Sequence, residues 1–210
     1  MEKKYINPNN PVYISYAWAD DKHPNIEEDV ENLCEILEAN YIYYKRDKEN
    51  LCPYRWSIQK AEEEIGEGAA IIIVISERYL KSLHCMNEWH LICKNGKIWD
   101  RVFPIVLEDA MILNAERYYE FFCFFETRKK EILAIQEAGI MKLSDVEGEA
   151  AKENFFINDL QNLQQYLKNF CNGDLSKLRE NNYAIIIDQL KGFYNSNVET
   201  SSSLNRLRLT

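Results

Sequence analysis

Three short polar segments hold the side chains whose types could do chemistry. They read SYAWADD at residues 15–21, KRDKENLCPYRW at 45–56 and SERYLKSLHCMNE at 76–88. Their aromatic rings could stack on a flat ligand, and their Arg and Lys side chains could meet phosphate. The third segment ends on a carboxylate, Glu88. That residue is either an ordinary solvated helix residue or the group that performs the chemistry.

Several common kinds of site are excluded by the motifs. His84 and Glu88 are four residues apart and share a helix face, but His90 falls on another face and supplies no third ligand, so we expect no metal. The six cysteines include no CxxC pair, which argues against structural zinc. The chain has no GxGxxG after a strand, no GxxxxGK[ST] and no GxSxG, which excludes a Rossmann dinucleotide loop, a P-loop and a serine-hydrolase elbow.

The elements that must position these segments alternate between strand and helix. β-rich or apolar runs predict four strands, at Pro11–Tyr16, Tyr41–Tyr44, Ala69–Ile75 and Val102–Leu107. Pro104 in the fourth predicts an edge position or a bulge. Helical spacing and capping residues predict three intervening helices. The first begins after Asn25 and carries an apolar stripe of Ile26, Val30, Leu33 and Leu37. The second spans Trp56–Ile65, and the third runs from Ser76 to about Lys94.

The order β-α-β-α-β-α-β predicts a doubly wound α/β fold with a parallel sheet. Ligands bind such sheets at the carboxyl ends of the strands, where the three polar segments fall. Beyond Glu108 the chain predicts two long helices within 113–170, joined by 139–150, and a final helix at about 175–194. IMKLSDV, at 140–146, is the one weak candidate for a fifth strand.

Composition and charge restrict the classes of partner that the protein is expected to bind. The chain has 25 Lys and Arg against 34 Asp and Glu, a net charge of −9, which disfavours a nucleic-acid groove. The longest apolar run, Ala69–Ile75, is far shorter than a membrane span of about 20 residues. The polar N-terminus lacks the apolar core of a secretory signal. We therefore expect a cytoplasmic protein with reduced thiols that binds neither nucleic acid nor membrane.

Five stretches in order resemble a TIR (Toll/interleukin-1 receptor) domain of the bacterial NAD-consuming type. They are YISYAWADD, the D-x3-L of 47–51, IIIVISERYLKS with the following Ser-x-x-Cys-x-x-Glu, RVFPIVLEDA and LRENNYAIIIDQL. The resemblance implies a flavodoxin-like parallel sheet with a C-terminal helical insertion or extension. The implied boundaries are an N-terminal tail at 1–10, a TIR domain at 11–194 with its insertion at about 113–170, and a flexible tail at 195–210.

The same resemblance implies an NAD+ nucleosidase, either a glycohydrolase or an ADP-ribosyl cyclase, that uses NAD+ as substrate and needs no cofactor. Enzymatic TIR domains carry an essential Glu, with Cys three residues before it and Trp four before it. Cys85 and Glu88 match, whereas His84 stands at the Trp position. Glu88 is implied to be catalytic. The implied substrate-binding residues are Tyr16, Ala17, Trp18, Arg46, Asp47, Trp56, Ser76, His84 and Cys85.

The implied biology is bacterial antiphage defence or immune-type signalling, with TIR–TIR self-association and a possible sensor or effector partner protein. The main alternative is a non-enzymatic TIR scaffold that signals by assembly and has no need of Glu88. Structural interpretations of single residues also stand. Trp56 could pack its helix on the sheet, the charges at 45–48 could serve loop solubility, and Cys85 could be a small buried spacer. The aromatic run FFCFFE at 121–126 suits helical core, or an assembly surface where exposed.

Overall fold

The computed structural model describes residues 4–19, 21, 24–46, 58–138, 143–169 and 173–207. Within them the strands form one parallel sheet in the order β2-β1-β3-β4-β5. The strands are β1 (Val12–Tyr16), β2 (Tyr44–Arg46), β3 (Ala70–Ile75), β4 (Val102–Val106) and β5 (Gly173–Asp174). The helices are α1 (Ile26–Ala39), α2 (Ile58–Glu67), α3 (Glu77–Lys81), α4 (Leu83–Asn95), α5 (Ile98–Arg101), α6 (Ala115–Glu137), α7 (Leu143–Lys168), α8 (Leu175–Glu180) and α9 (Ala184–Leu207).

Strand β3 is central, and all six of its residues are buried. Its side chains alternate between two hydrophobic clusters. Ile72 and Val74 pack with α1 and α9 on one face, and Ile71, Ile73 and Ile75 pack with α4, α6 and α7 on the other. Full burial of each such side chain contributes about 1.5–3 kcal/mol, so this apolar run anchors both layers. The predicted α/β class and parallel sheet are confirmed.

The long helices α6 and α7 complete one face of the sheet. The Phe125 and Phe156 rings lie 5.7 Å apart between the two helices. The Trp89 indole on α4 donates to the Asp159 carbonyl on α7 at 2.9 Å. Phe121 and Phe125 are fully buried, so these rings of the aromatic run belong to the core. The two predicted helices of this region are confirmed and belong to the same core as the sheet, although the second begins at Leu143, inside the segment 139–150 that was predicted to join them.

One predicted helix is two. We expected a single helix from Ser76 to about Lys94, but the chain breaks at Ser82, whose backbone is extended. The Ser76 hydroxyl accepts from the backbone N–H of Tyr79, and the Ser82 hydroxyl accepts from that of Cys85. Each serine thus caps its own helix, because a short hydroxyl side chain competes with helical backbone bonding. The break re-aims α4, which carries Glu88.

The strand predictions need three corrections. The second strand begins at Tyr44 rather than Tyr41, because Tyr41 has a φ of +59°, which turns the chain out of α1. The fifth strand is β5, whereas residues 143–146 of the weak candidate are the start of α7 and 140–142 lie outside the described residues. The fourth strand is not at the edge of the described sheet, because β4 lies between β3 and β5; Pro104 pairs with Ile73 of β3, and pairing with β5 is described only from Ile105.

Regular structure extends beyond the boundaries that we predicted on both sides of the domain. The predicted final helix is two helices, α8 and α9, separated by the positive φ angles of Asn182 and Tyr183, and α9 continues through Leu207 rather than ending near Tyr194. Residues 208–210 lie outside the described residues. Asn7, in the predicted N-terminal tail, is buried and bonds both the N–H and the carbonyl of Tyr43, at 2.7 and 2.9 Å. The Tyr194 hydroxyl donates to the Asn10 carbonyl at 2.9 Å. None of the described helices combines the length and apolarity needed to cross a membrane.

Candidate active site

A cavity of about 340 Å³ opens at the carboxyl end of the sheet, beside the end of β1. This is where parallel α/β sheets bind ligands. Three elements supply its walls: the chain leaving β1, helix α2, and the segment from α3 into α4. The lining residues are Tyr16, Ala17, Trp18, Ala61, Glu62, Arg78, Ser82, His84, Cys85 and Glu88.

Glu88 lies in the middle of α4 and lines this cavity while being only 9% exposed. It is therefore not a solvated surface residue. The Ser15 hydroxyl, on β1, donates to Glu88 Oε2, and Ser15 Oγ lies 3.1 Å from the Tyr79 hydroxyl on α3. Because Ser15 has one proton and gives it to Glu88, the Tyr79 hydroxyl must be the donor to Ser15. The chain Tyr79–Ser15–Glu88 fixes one carboxylate oxygen.

Tyr79 can serve as this donor at any physiological pH. It is fully buried, and burial raises the pKa of its hydroxyl well above the ordinary value, with the nearby Cys85 and Glu88 adding to the rise. Neither Ser15 nor Tyr79 was predicted from sequence. Ser15 did carry a signal: it is a polar residue inside an apolar strand, and a buried hydroxyl needs a partner.

A second carboxylate, Glu62 on α2, lines the same cavity with its side chain 8% exposed. Its Oε1 lies 2.9 Å from Nδ1 of His84, and its Oε2 accepts from the Asn87 side-chain amide at 2.7 Å. Sequence reasoning missed Glu62. It stands between Ile58 and Ile65 at helical spacing, an inward position that the neighbouring Glu residues obscure.

The predicted substrate-binding residues divide between the cavity and elsewhere. Tyr16, Ala17, Trp18, His84 and Cys85 all line the cavity. Trp18 presents a half-exposed indole and His84 an imidazole that is 67% exposed, whereas Cys85 is buried. The structure thus gathers two aromatic rings, an imidazole and a carboxylate from separate segments into one pocket.

Two other predicted residues are not at the cavity. Ser76 is buried and caps α3, so its hydroxyl is engaged with the backbone. Arg46 forms an ion pair with Glu31 of α1 at 2.7 Å. The exposed guanidinium that lines the cavity is instead Arg78, in the first turn of α3. Asp47 and Trp56 lie outside the described residues.

Two further observations bear on the kind of site. Among the described residues, no group of three or more His, Cys, Asp or Glu side chains could hold a metal ion. A larger depression, of about 920 Å³, lies at the opposite end of the sheet. Its buried cation, Arg101, donates to the carbonyls of Gly66, Gly68, Ile92 and Gly96 at 2.6–2.9 Å, so that guanidinium is structural.

Comparisons with known proteins identify the family and the fold. A sequence profile of the TIR domain matches residues 12–134, which include β1 to β4 and most of α6. The fold is similar to that of the TIR domains in the structure of the activated Roq1 resistosome directly recognizing the pathogen effector XopQ, with a TM-score of 0.57 and 20% identity. That match covers 86% of this chain and 99% of the other. No curated protein matches the chain. Since the profile spans more than half of the sequence, the chain belongs to the TIR domain family.

Proposed function

We propose that this chain is an NAD+ nucleosidase that cleaves the bond between nicotinamide and ribose, with Glu88 as the catalytic carboxylate. The observation that carries the proposal is the setting of Glu88. It is a buried carboxylate on a cavity wall at the ligand-binding end of the sheet, with one oxygen held by Ser15. A scaffold that only assembles has no need of such a group.

The reaction suits a single fixed carboxylate. In NAD+ the nicotinamide is a cationic ring and leaves as a neutral molecule, so the leaving group needs no general acid. Positive charge then develops on the ribose, and a carboxylate beside the anomeric carbon stabilises it, as in glycoside hydrolysis. The half-exposed Trp18 indole lines the cavity and offers a flat face for stacking on one of the two ring systems. We assign the pyrophosphate to Arg78, because it lines the cavity whereas the predicted Arg46 pairs with Glu31.

We further propose that the protein acts as an assembly. The similar structure is that of the TIR domains of an activated resistosome. By resemblance to bacterial members of the family, the activity serves antiphage defence or immune-type signalling in the cytoplasm, through loss of NAD+ or production of a signalling nucleotide. A sensor or effector protein is the partner that we expect to trigger it.

The test is to incubate concentrated protein with NAD+ and to follow nicotinamide and ADP-ribose products by chromatography. We expect the wild type to release nicotinamide. Both Glu88→Gln and Glu88→Ala should lower the rate by about 10²–10³-fold, the usual effect of removing one electrostatic stabiliser of a transition state. Glu88→Gln keeps the shape of the side chain and an oxygen that can accept from Ser15, so its effect on the rate reports the loss of the negative charge.

Glu63→Gln is the matched control, because Glu63 is an exposed carboxylate on α2 and does not line the cavity. Its rate should equal that of the wild type. Equal turnover by the wild type and Glu88→Ala would refute the site assignment. Absence of turnover at every protein concentration would favour the non-enzymatic scaffold.

A further inference from the structure

We propose that Glu62 and His84 form a general-base dyad in the same cavity, which takes the proton from the water that attacks the ribose. This inference rests on the nucleosidase function proposed above and adds a second catalytic group to it. His84 is the catalytic member, because its imidazole lines the cavity beside Glu88. Glu62 is the positioning member, because it acts through His84.

The partner of His84 Nδ1 indicates which nitrogen of the imidazole carries a proton. His84 Nδ1 lies 2.9 Å from Glu62 Oε1, and an ionised carboxylate only accepts hydrogen bonds. Nδ1 therefore carries a proton, and in the tautomer that this bond selects Nε2 holds the lone pair. Within the described residues no hydrogen bond engages Nε2. A carboxylate that fixes the tautomer and leaves the other nitrogen basic is the arrangement by which acidic side chains prepare a histidine for proton transfer.

The Glu62 carboxylate is held in place at both of its oxygens. Glu62 is buried, and each of its oxygens has a partner: Oε1 meets His84, and Oε2 accepts from the Asn87 amide at 2.7 Å. Both partners stand on α4, so Glu62 bridges α2 to the helix that carries Glu88. A carboxylate held at both oxygens can orient the ring and also stabilise the imidazolium that forms when Nε2 takes a proton.

His84 and Glu88 lie on the same face of α4. They are four residues apart on α4, and both line the cavity. Residues at this spacing are neighbours on one helix face. The Glu88 carboxylate, which accepts from Ser15, is assigned to the developing cation, and His84 Nε2 is assigned to the proton of the water. Two titratable groups on one wall therefore have separate roles.

Hydrolysis of NAD+ begins at the bond to nicotinamide. The bond between ribose C1′ and nicotinamide N1 breaks, and its electron pair leaves with the neutral nicotinamide. A water oxygen then forms a bond to C1′, and one proton of that water passes to His84 Nε2. The imidazolium later gives the proton to solvent. The net reaction converts NAD+ and water into nicotinamide, ADP-ribose and a proton.

A nucleophile without a proton to lose gives the test. The nitrogen of 3-acetylpyridine can attack the same ribosyl cation, form the exchanged dinucleotide and need no base. The experiment compares hydrolysis of NAD+ with exchange to 3-acetylpyridine by chromatography, in the full chain. For His84→Gln we expect hydrolysis to fall by about 10²-fold, at the lower end of general-base contributions, with exchange within about threefold of the wild type. Glu62→Gln should lower hydrolysis by about tenfold in the same selective way.

His90→Gln is the matched control, because it makes the same substitution on the same helix at a histidine that bonds Asp159 outside the cavity. Both of its rates should equal those of the wild type. An equal fall of hydrolysis and exchange in His84→Gln would make His84 a binding residue and overturn the dyad. So would unchanged hydrolysis. If the wild type gives neither reaction, the nucleosidase function fails, and the dyad fails with it. Glu88→Gln should lose both reactions together, which separates its role from that of His84.

Discussion

Replacement of Ser15 by Ala tests how Glu88, the carboxylate that we propose to be catalytic, is held. Ser15 lies in β1, buried, and donates to Glu88 while accepting from the Tyr79 hydroxyl. The substitution removes one oxygen atom and leaves the strand and its apolar neighbours in place. Since Glu88 is only 9% exposed, water has little access to replace the lost donor.

The expected magnitude follows from two hydrogen bonds. The bond from Ser15 to the charged Glu88 contributes about 1.5–3 kcal/mol, and the neutral bond from Tyr79 contributes about 0.5–1.5 kcal/mol. Ser15→Ala should therefore lower the free energy of unfolding by about 3 kcal/mol, within a range of about 2–4.5 kcal/mol. For a chain of this size that loss corresponds to a fall in Tm of about 6–12 °C. The rate of nicotinamide release should fall by about tenfold, because a catalytic group that loses its orientation is misplaced.

The assay is urea unfolding followed by tryptophan fluorescence, run as a double-mutant cycle of Ser15→Ala with Glu88→Gln. In the Glu88→Gln background the same bond ends on a neutral amide, so the loss of Ser15 should cost about 1–2 kcal/mol less than in the wild type. A coupling energy near zero would refute the charged hydrogen bond. A wild-type urea midpoint for Ser15→Ala would refute the whole arrangement.

Two further predictions concern charges away from the cavity. Arg101→Met removes the guanidinium from four carbonyls, of which only Gly66, in the part of the chain that the structure describes, keeps another side-chain donor, Asn95. The free energy of unfolding should therefore fall by at least about 3 kcal/mol in urea titration, whereas Lys97→Met, on the same surface, should lower it by less than about 0.5 kcal/mol. Similar losses for both variants would contradict the structural role of Arg101. Burial raises the pKa of Asp159, although its bond from His90 works in the opposite direction. An acid whose folded-state pKa is raised adds stability below its ordinary value of about 3.9, and this is lost as pH rises through the folded-state pKa. In the wild type, the free energy of unfolding should therefore decrease as the pH rises just above the ordinary Asp range, and this decrease should be smaller in Asp159→Asn. Superimposable plots of unfolding free energy against pH for the wild type and Asp159→Asn would contradict this prediction.

Local patterns in the sequence were sufficient for most of the fold. The isoleucine run of β3 could only be a strand covered on both faces, because it has no polar side for solvent. The stripe of α1 at helical spacing likewise determined which face it buries. The pattern failed where two local preferences compete. Ser82 lies within helix-like spacing and is also a good N-cap, and the packing of α4 against the sheet resolved that competition in favour of a break.

The sequence by itself also determined the family and pointed to Glu88, through its spacing from Cys85 and from the preceding strand. Only the tertiary structure decided what surrounds that carboxylate. Glu62 is one of three consecutive Glu residues on α2, and Ser15 is distant in sequence from Glu88, so no local pattern could select them. Their roles come from the approach of α2 and β1 to one face of α4. Contacts of this kind join residues far apart in the chain, and they depend on how whole elements pack rather than on the spacing within any one of them.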